Sequence, residues 1–313
     1  MAATTPSTVI PPAFIPQRTW SPRAVTGSLW KFVRRRPIGA FAGALCVFTI
    51  AVAVGGWTGI LLTHDPERFR GADRLLPIGA ESRVGAGTYF LGTDDLGRDM
   101  YSRLVKGAQL SVFFGVGVAT IAIVLGSVIG LVSAYFGGWF DMLVQRLVDL
   151  LQTIPLLVLA IALVSVTGPG IMKGFWIVAF LSVPRPVRLI RGSVLSVNQE
   201  TYIEAARSLG ASDRRIMFRH VLPNVTAPMI VLASYLIALG VIIEASLSFL
   251  GIGAQPPTPS WGAMLTGSGN VFFATNPRLA ILPGIAISLL VFATNMFGDA
   301  VRDELDPRLR GTR

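Results

Sequence analysis

The chain has 313 residues and a mass of 33.5 kDa, is 52% hydrophobic and only 14% charged, and has a mean hydropathy of +0.62. Soluble domains carry about 25% charged residues, so this composition excludes a disordered chain, a disulfide scaffold and an ordinary soluble enzyme, and leaves an integral membrane protein. One cysteine, Cys46, rules out an internal disulfide or a cysteine-based zinc site, and two histidines, His64 and His220, offer little for metal or acid–base chemistry.

A helix needs about 20 apolar residues to cross the hydrocarbon core. In chain order the uncharged runs are Ile38–Leu62 (25 residues), Gly107–Phe140 (34), Leu150–Met172 (23), Val221–Ile243 (23) and Leu279–Gly298 (20). A weaker segment, Ile171–Ile190, carries Lys173 near its start and Pro184-Arg185-Pro186 towards its end. Residues 1–30, rich in Ala, Thr, Ser and Pro, read as a flexible tail. The first run is longer than a signal-peptide core and reads as a span.

Charge orients these runs, because Lys and Arg in short loops favour the cytoplasm. The arm before the first run holds Arg18, Arg23, Lys31, Arg34, Arg35 and Arg36 and no acid. His64–Lys106 balances seven basic against seven acidic residues, whereas Arg185–His220 carries seven arginines against three acids. The arm and the second loop are expected inside, so an even number of spans separates them and Ile171–Ile190 must cross. The expectation is an all-α integral membrane protein with six transmembrane helices and both termini cytoplasmic. Its parts are a tail at 1–36, a first span at 37–63, an outer segment at 64–106, and a five-helix core at 107–313 with a loop at about 200–223.

Gly137-Gly138 breaks the long run. Beyond it, Asp141, Gln145, Asp149 and Gln152 fall on one stripe, as in an amphipathic helix at the interface or as a plain extension of span three. Gly39/Gly43, Gly55/Gly59 and Gly126/Gly130 have the GxxxG spacing that lets helix backbones approach closely. Cys46 is expected as a small core residue. Pro155, Pro169, Pro184, Pro186 and Pro283 are expected at kinks or breaks.

No GxxxxGK[ST] phosphate loop, HExxH or GxSxG motif is present, and none of Lys31, Lys106 or Lys173 follows a glycine. The chain is therefore expected to be non-enzymatic, with no catalytic residue, cofactor or metal of its own. In Tyr202–Pro223, Ala205 and Ala206 favour a helix with almost no side chain. Gly210 stands where a left-handed residue ends it. Ser212 or Asp213 is placed to cap a second helix, and Pro223 suits the first turn of span five. Such a hydrophobic, basic hairpin suits a groove on a soluble partner. In the outer segment, Thr93 or Asp94 is placed to cap a short helix pairing Asp99 with Arg103, or to contact a delivering protein or an outer gate. Glu244 is the one acid well inside a predicted span. It must face protein or a pathway rather than lipid, through a hydrogen bond or a substrate contact.

Glu204-Ala205-Ala206, Gly210 and Leu222-Pro223 resemble the EAA motif of ATP-binding-cassette importer permeases, with His220 at a position where isoleucine is usual. Gly92-Thr93-Asp94-Asp95-Leu96-Gly97-Arg98-Asp99 with Ser102-Arg103 is similar to the segment before span two in dipeptide/oligopeptide permease C subunits. Ser260–Leu265, Asn295, Gly298-Asp299 and Arg302–Arg308 resemble their last outer loop and C-terminal end. The resemblance implies a type I importer permease fold. It also implies a coupling role for Glu204, Ala205, Ala206, Gly210, Leu222 and Pro223, and peptide transport by alternating access. The implied partners are a second homologous permease, two cytoplasmic ATPases that hold ATP and Mg, an extracytoplasmic substrate-binding protein and the lipid bilayer, with no nucleic acid. Import of a nickel chelate or glutathione through the same architecture, or a self-sufficient secondary carrier, are the alternatives.

Overall fold

The structure, a computed structural model, describes residues 33–34, 36–266 and 268–305; the tail expected at 1–30 and the motif residues Asp306, Pro307 and Arg308 lie outside them. Of the chain's two units, Met1–Pro37 and Ile38–Arg313, the second carries the fold. Helix α1 (Pro37–Thr58) is followed by a segment whose regular structure is a 3-10 turn at Gly71–Asp73 and a short hairpin, β1 (Ala80–Glu81) antiparallel to β2 (Thr88–Tyr89). Helix α2 (Met100–Phe136) covers 37 residues, ~55 Å at 1.5 Å per residue. Then come α3 (Gly138–Thr153), α4 (Leu156–Thr167), α5 (Ile171–Ser182), α6 (Pro184–Asn198), α7 (Thr201–Ser208) and α8 (Asp213–Ile216). A π-helical turn, Met217–Val221, leads into α9 (Leu222–Phe249). Short helices α10 (Trp261–Thr266) and α11 (Ser268–Val271) precede the last long helix, α12 (Arg278–Leu305).

Four helical stretches among the described residues are long and apolar enough to cross a membrane: Pro37–Thr58, Met100–Phe136, Asp213–Phe249 and Arg278–Glu304. A fifth arises if α3 and α4, bent by 84°, count as one. The bend falls at Ile154-Pro155, where proline removes a donor and crowds the preceding turn. The bend turns α3 sharply away from the axis of α4. The predicted third span, Leu150–Met172, is thus cut to twelve helical residues between Pro155 and Gly168. The weak segment is also divided. Helix α5 has twelve residues, and Val183 keeps right-handed helical dihedrals into α6, which starts on Pro184. Gly137 and Gly138, with φ of +65° and +62°, end α2 where expected. Pro283 lies inside α12 without ending it, and Pro228, not singled out from sequence, lies inside α9.

The helices pack through small residues. A Cβ at Gly130 would stand 2.7 Å from the Val187 carbonyl oxygen and one at Gly126 2.9 Å from that of Val183, so this pair seats α6 on α2. Gly115 and Gly240 bring α2 and α9 together in the same way. Phe114, Val118, Ala160, Phe175, Val178, Ile243 and Leu247 form a core shared by α2, α4, α5 and α9. A second core, Leu131, Ile190, Val194, Ile203, Ile216, Val221 and Val225, fixes α7 and α8 beneath α2, α6 and α9. Cys46 is half-buried on α1 rather than in a core.

Candidate functional site

The loop between α6 and α9 is a helical hairpin with one buried edge. Ile203 and Ile216 are fully buried and anchor α7 and α8. Helix α7 ends on Gly210, with φ of +79°. The Gly210 amide donates to the Arg207 carbonyl (2.9 Å) and the Ala211 amide to that of Ala206 (3.0 Å), the paired bonds of a Schellman cap. Glu204, Ala205, Leu209, Gly210 and Phe218 are exposed and Ala206 is half-buried, so the family-motif residues lie on the open side. Ser212 occupies the N-cap of α8 without a side-chain bond to it. Asp213 instead accepts from the Tyr135 hydroxyl (2.7 Å), tying the hairpin to the end of α2.

One expectation is corrected here. Pro223 lies in the first turn of α9, yet α9 is not a new helix: Asp213–Phe249 runs on continuously through the π turn. Proline cannot donate to the residue one turn back, and a wider rung absorbs that loss, with the Leu222 amide donating to the Met217 carbonyl.

In the segment between α1 and α2, the predicted motif forms a buried polar knot. Asp94 Oδ1 accepts from the amides of Leu96 and Arg98, both at 2.9 Å, and Oδ2 from Arg98 Nε at 2.7 Å, with Arg103 Nε at 3.6 Å. Asp99 caps α2. Its Oδ2 accepts from the Ser102 amide (2.9 Å), the Ser102 hydroxyl (2.6 Å) and the Thr63 hydroxyl (2.9 Å). The expected Asp99–Arg103 pair is therefore replaced: Asp99 is occupied as the cap, and Arg103 turns to Asp94 and to the Pro66 carbonyl. Thr93 is fully buried and its hydroxyl accepts from the Leu76 amide (2.8 Å). Gly92 and Gly97 allow the Leu76 and Arg70 backbones to press close.

Sequence reasoning missed three supports of this knot. Asp73 is fully buried. Its burial raises the carboxyl, but bonds from Ser82, Tyr89 and the Arg83 amide, with the Arg70 charge, outweigh that and hold it below the usual carboxylate range. Trp261 Nε1 donates to the Leu104 carbonyl (2.9 Å), and Arg278 donates to the carbonyls of Leu76 and Leu91 from the start of α12. Arg278 was visible as the lone cation at the edge of the last apolar run.

Glu244 is fully buried where α2, α9 and the following loop meet. It accepts from the Ser111 hydroxyl (3.0 Å) and the Ser248 hydroxyl (2.9 Å), and Ser248 accepts in turn from the Ala254 amide (3.0 Å). This is the hydrogen-bonded alternative of the two foreseen. Among the described residues no three His, Cys, Asp or Glu side chains converge as a metal-ligand set.

A chain of several apolar spans with an anchored helical hairpin whose motif residues face outward has the build of a membrane transport component. Residues 113–311 match the family described as binding-protein-dependent transport system inner membrane component, and the chain belongs to that family. It is an inner-membrane permease subunit of an ATP-binding-cassette importer. It is 39% identical over 293 residues, 94% of each chain, to the glutathione transport system permease protein GsiD of Pectobacterium atrosepticum. It is 40% identical over 283 residues, 90% of each chain, to the proteins of the same name from Escherichia coli and Shigella boydii.

Proposed function

We propose that this permease serves the import of small peptides, forming half of a translocation pathway with a second, related permease. Two cytoplasmic ATPases supply ATP and Mg chemistry, and an extracytoplasmic binding protein delivers the substrate. The names of the relatives, which specify glutathione, favour a substrate of tripeptide size within the peptide class. No observation favours a nickel chelate, and the family membership favours an ATP-driven importer over a self-sufficient carrier.

In this reading the chain crosses the membrane six times with both termini cytoplasmic. The bent pair α3 and α4 supplies the third crossing, since α4 alone has twelve residues, and α5 joined to α6 through Val183 is the fourth. The arginine-rich hairpin then lies on the same side as the basic arm, as the charge distribution requires. Glu204, Ala205, Ala206 and Gly210 face an ATPase, and Leu222 and Pro223 join the hairpin to span five. Closure of the ATPases on ATP displaces the hairpin, and the spans rock to change which side is open.

The observation that carries this reading is the hairpin itself: a fully buried Ile203/Ile216 edge, an open face with Leu209 at 88% exposure, and a helix continuous into an apolar stretch long enough to cross the membrane. An 88%-exposed leucine at a helix end is suited to a partner's pocket. The test is purification of tagged wild-type chain and the Gly210→Trp/Glu204→Arg variant from detergent-solubilised membranes that express the partners. A second permease and two ATPases are expected with the wild type, and loss of the ATPases alone with the variant. If no ATPase accompanies the wild type, the coupling role is wrong.

A further inference from the structure

Helix α6 carries three arginines on successive turns, and their surroundings differ. Arg191 holds the Asp141 carboxylate in a two-pronged pair, Nε to Oδ1 at 2.9 Å and Nη2 to Oδ2 at 2.7 Å. Arg188 is paired with Asp149. Arg185 has no carboxylate partner among the described residues. It donates from Nη1 to the Tyr235 hydroxyl, and its guanidinium carbon lies 5.2 Å from the centre of that ring.

The position of this pair is unusual for a charge. Tyr235 stands well inside the Asp213–Phe249 rod, ~33 Å from Asp213 and ~21 Å from Phe249 at 1.5 Å per residue. Arginine beside a span ordinarily extends its head towards the nearer interface. Arg185 instead reaches inward to the middle of span five. Both side chains are exposed on the surface of the subunit. A guanidinium open at that depth cannot face hydrocarbon, so this face of α6 and α9 borders water or protein.

The sequence of the face agrees. Asn224, Tyr235 and Ser246 stand eleven residues apart on α9, a spacing that keeps them within one stripe. Beyond Arg185 the exposed side of α6 continues as a groove lined by Arg188, Leu189, Gly192, Ser193, Ser196 and Val197. The face mixes these polar groups with apolar ones such as Leu189 and Ile242, so the guanidinium, not the composition of the face, marks it as a pathway wall.

The donors that remain fix the ligand chemistry. Guanidinium has five N–H donors, of which the Tyr235 hydroxyl takes one. Because that hydroxyl oxygen accepts from Arg185, its own proton is free to point outward. Two donors of different shape, a planar fork and a hydroxyl, then flank one opening. This arrangement matches a carboxylate, one oxygen on the fork and one on the hydroxyl. We propose that Arg185 and Tyr235 form a carboxylate-binding subsite in the translocation pathway, which takes a carboxylate of the transported peptide as it passes. The subsite rests on the small-peptide reading above and adds a recognition element within the permease, separate from the binding protein.

The test uses the complete importer, both permeases and both ATPases, purified in detergent without the binding protein. A dipeptide with an N-terminal benzophenone and a free C-terminal carboxylate is photolysed with it, and unlabelled dipeptide competes either as the free acid or as the C-terminal amide. Labelling of α6 or α9 is expected in the wild type, with the free acid competing about tenfold better than the amide. In Arg185→Gln that preference falls to near unity, and Arg185→Lys and Tyr235→Phe retain part of it. If Arg185→Gln does not assemble, the two conservative variants carry the test, and an undiminished acid preference in both refutes the subsite. The proposal is also overturned if the wild type is unlabelled, if the label maps away from α6 and α9, or if Arg185→Gln keeps the acid preference. It is overturned equally if Arg185→Gln loses only co-purifying phosphatidylglycerol, which would make Arg185 a lipid contact. A wrong importer reading shows separately, as wild-type proteoliposomes with binding protein and ATP that take up no peptide.

Discussion

Replacing Asp99 by alanine tests whether the knot between α1 and α2 is held by one carboxylate. Asp99 Oδ2 receives the Ser102 amide, the Ser102 hydroxyl and the Thr63 hydroxyl, and the Ser102 oxygen receives the Thr63 and His64 amides at 3.2 and 3.1 Å. The alanine variant loses the N-cap of α2, about 1 kcal/mol. It also strips the fully buried Ser102 hydroxyl of its 2.6 Å acceptor and leaves it only the Thr63 hydroxyl at 3.2 Å, about 2 kcal/mol more. Together these come to about 3 kcal/mol, or about 150-fold in the local opening equilibrium. Hydrogen exchange of the purified complex, read at the amides of residues 63–64 and 102–105, is expected to accelerate by that order. Asp99→Asn keeps one oxygen for the cap and is expected to accelerate exchange about tenfold at most. An Asp99→Ala rate within about threefold of the wild type would refute the assignment of this carboxylate as the knot's anchor.

Glu244→Leu strands the Ser111 and Ser248 hydroxyls and is expected to cost about 2 kcal/mol in thermal unfolding of the complex, while Glu244→Gln, which keeps an acceptor, costs less than about 1. Asp73 has a folded pKa below its ordinary 3.8, so its contribution is full above about pH 5 and is lost as pH falls through the lower folded value. Hydrogen exchange of residues 73–89 should accelerate over that acid window in the wild type, and Asp73→Asn should flatten the dependence. Gly130→Ala places a Cβ 2.7 Å from the Val187 oxygen and should lower stability by about 1–3 kcal/mol, whereas Gly192→Ala meets nothing within 4 Å and should be neutral or stabilising, both read by thermal unfolding in detergent. Arg219→Gly with His220→Gly softens the π turn; the ATPases are expected to remain bound while substrate moved per ATP falls, and an unchanged ratio would show that this turn transmits nothing.

The long apolar runs were legible because burial in lipid leaves a composition signal that needs no neighbours. α1, α2, α9 and α12 follow their predicted cores, and Gly210 ends α7 as a left-handed residue must. Shorter pieces were not legible. Whether Leu150–Met172 is one helix depends on how Pro155 is packed, and the chain bends by 84° there. The knot between α1 and α2 was half legible. The Gly92–Asp99 motif was marked, but its pairing was misassigned, because i, i+4 spacing cannot register a competitor from elsewhere: Asp94 takes Arg103 while Asp99 caps α2. Asp73 and Arg278 were missed for the same reason, since their partners lie far off in sequence. The hairpin gave its motif but not its continuity with α9, because a proline in the first turn reads equally as a start and as an interior residue.

That continuity bears on how the family motif and the buried carboxylate relate. From Asp213 to Phe249 the backbone is one helical rod through the π turn. Its lower end is fixed to α7 by the Ile203/Ile216 core and to α2 by the Tyr135–Asp213 bond. Near its upper end Glu244 is bonded to Ser111 of the same α2. The rod is thus fastened to α2 at two levels, and between them Gly115 and Gly240 leave no side chain to cushion the approach. Close-packed backbones without intervening side chains move as a unit rather than deforming gradually. In the coupling role proposed above, a push on the open face of the hairpin would reach Glu244 and Ser111 as a displacement of α2 and α9 together, with the Ser111–Glu244 bond kept.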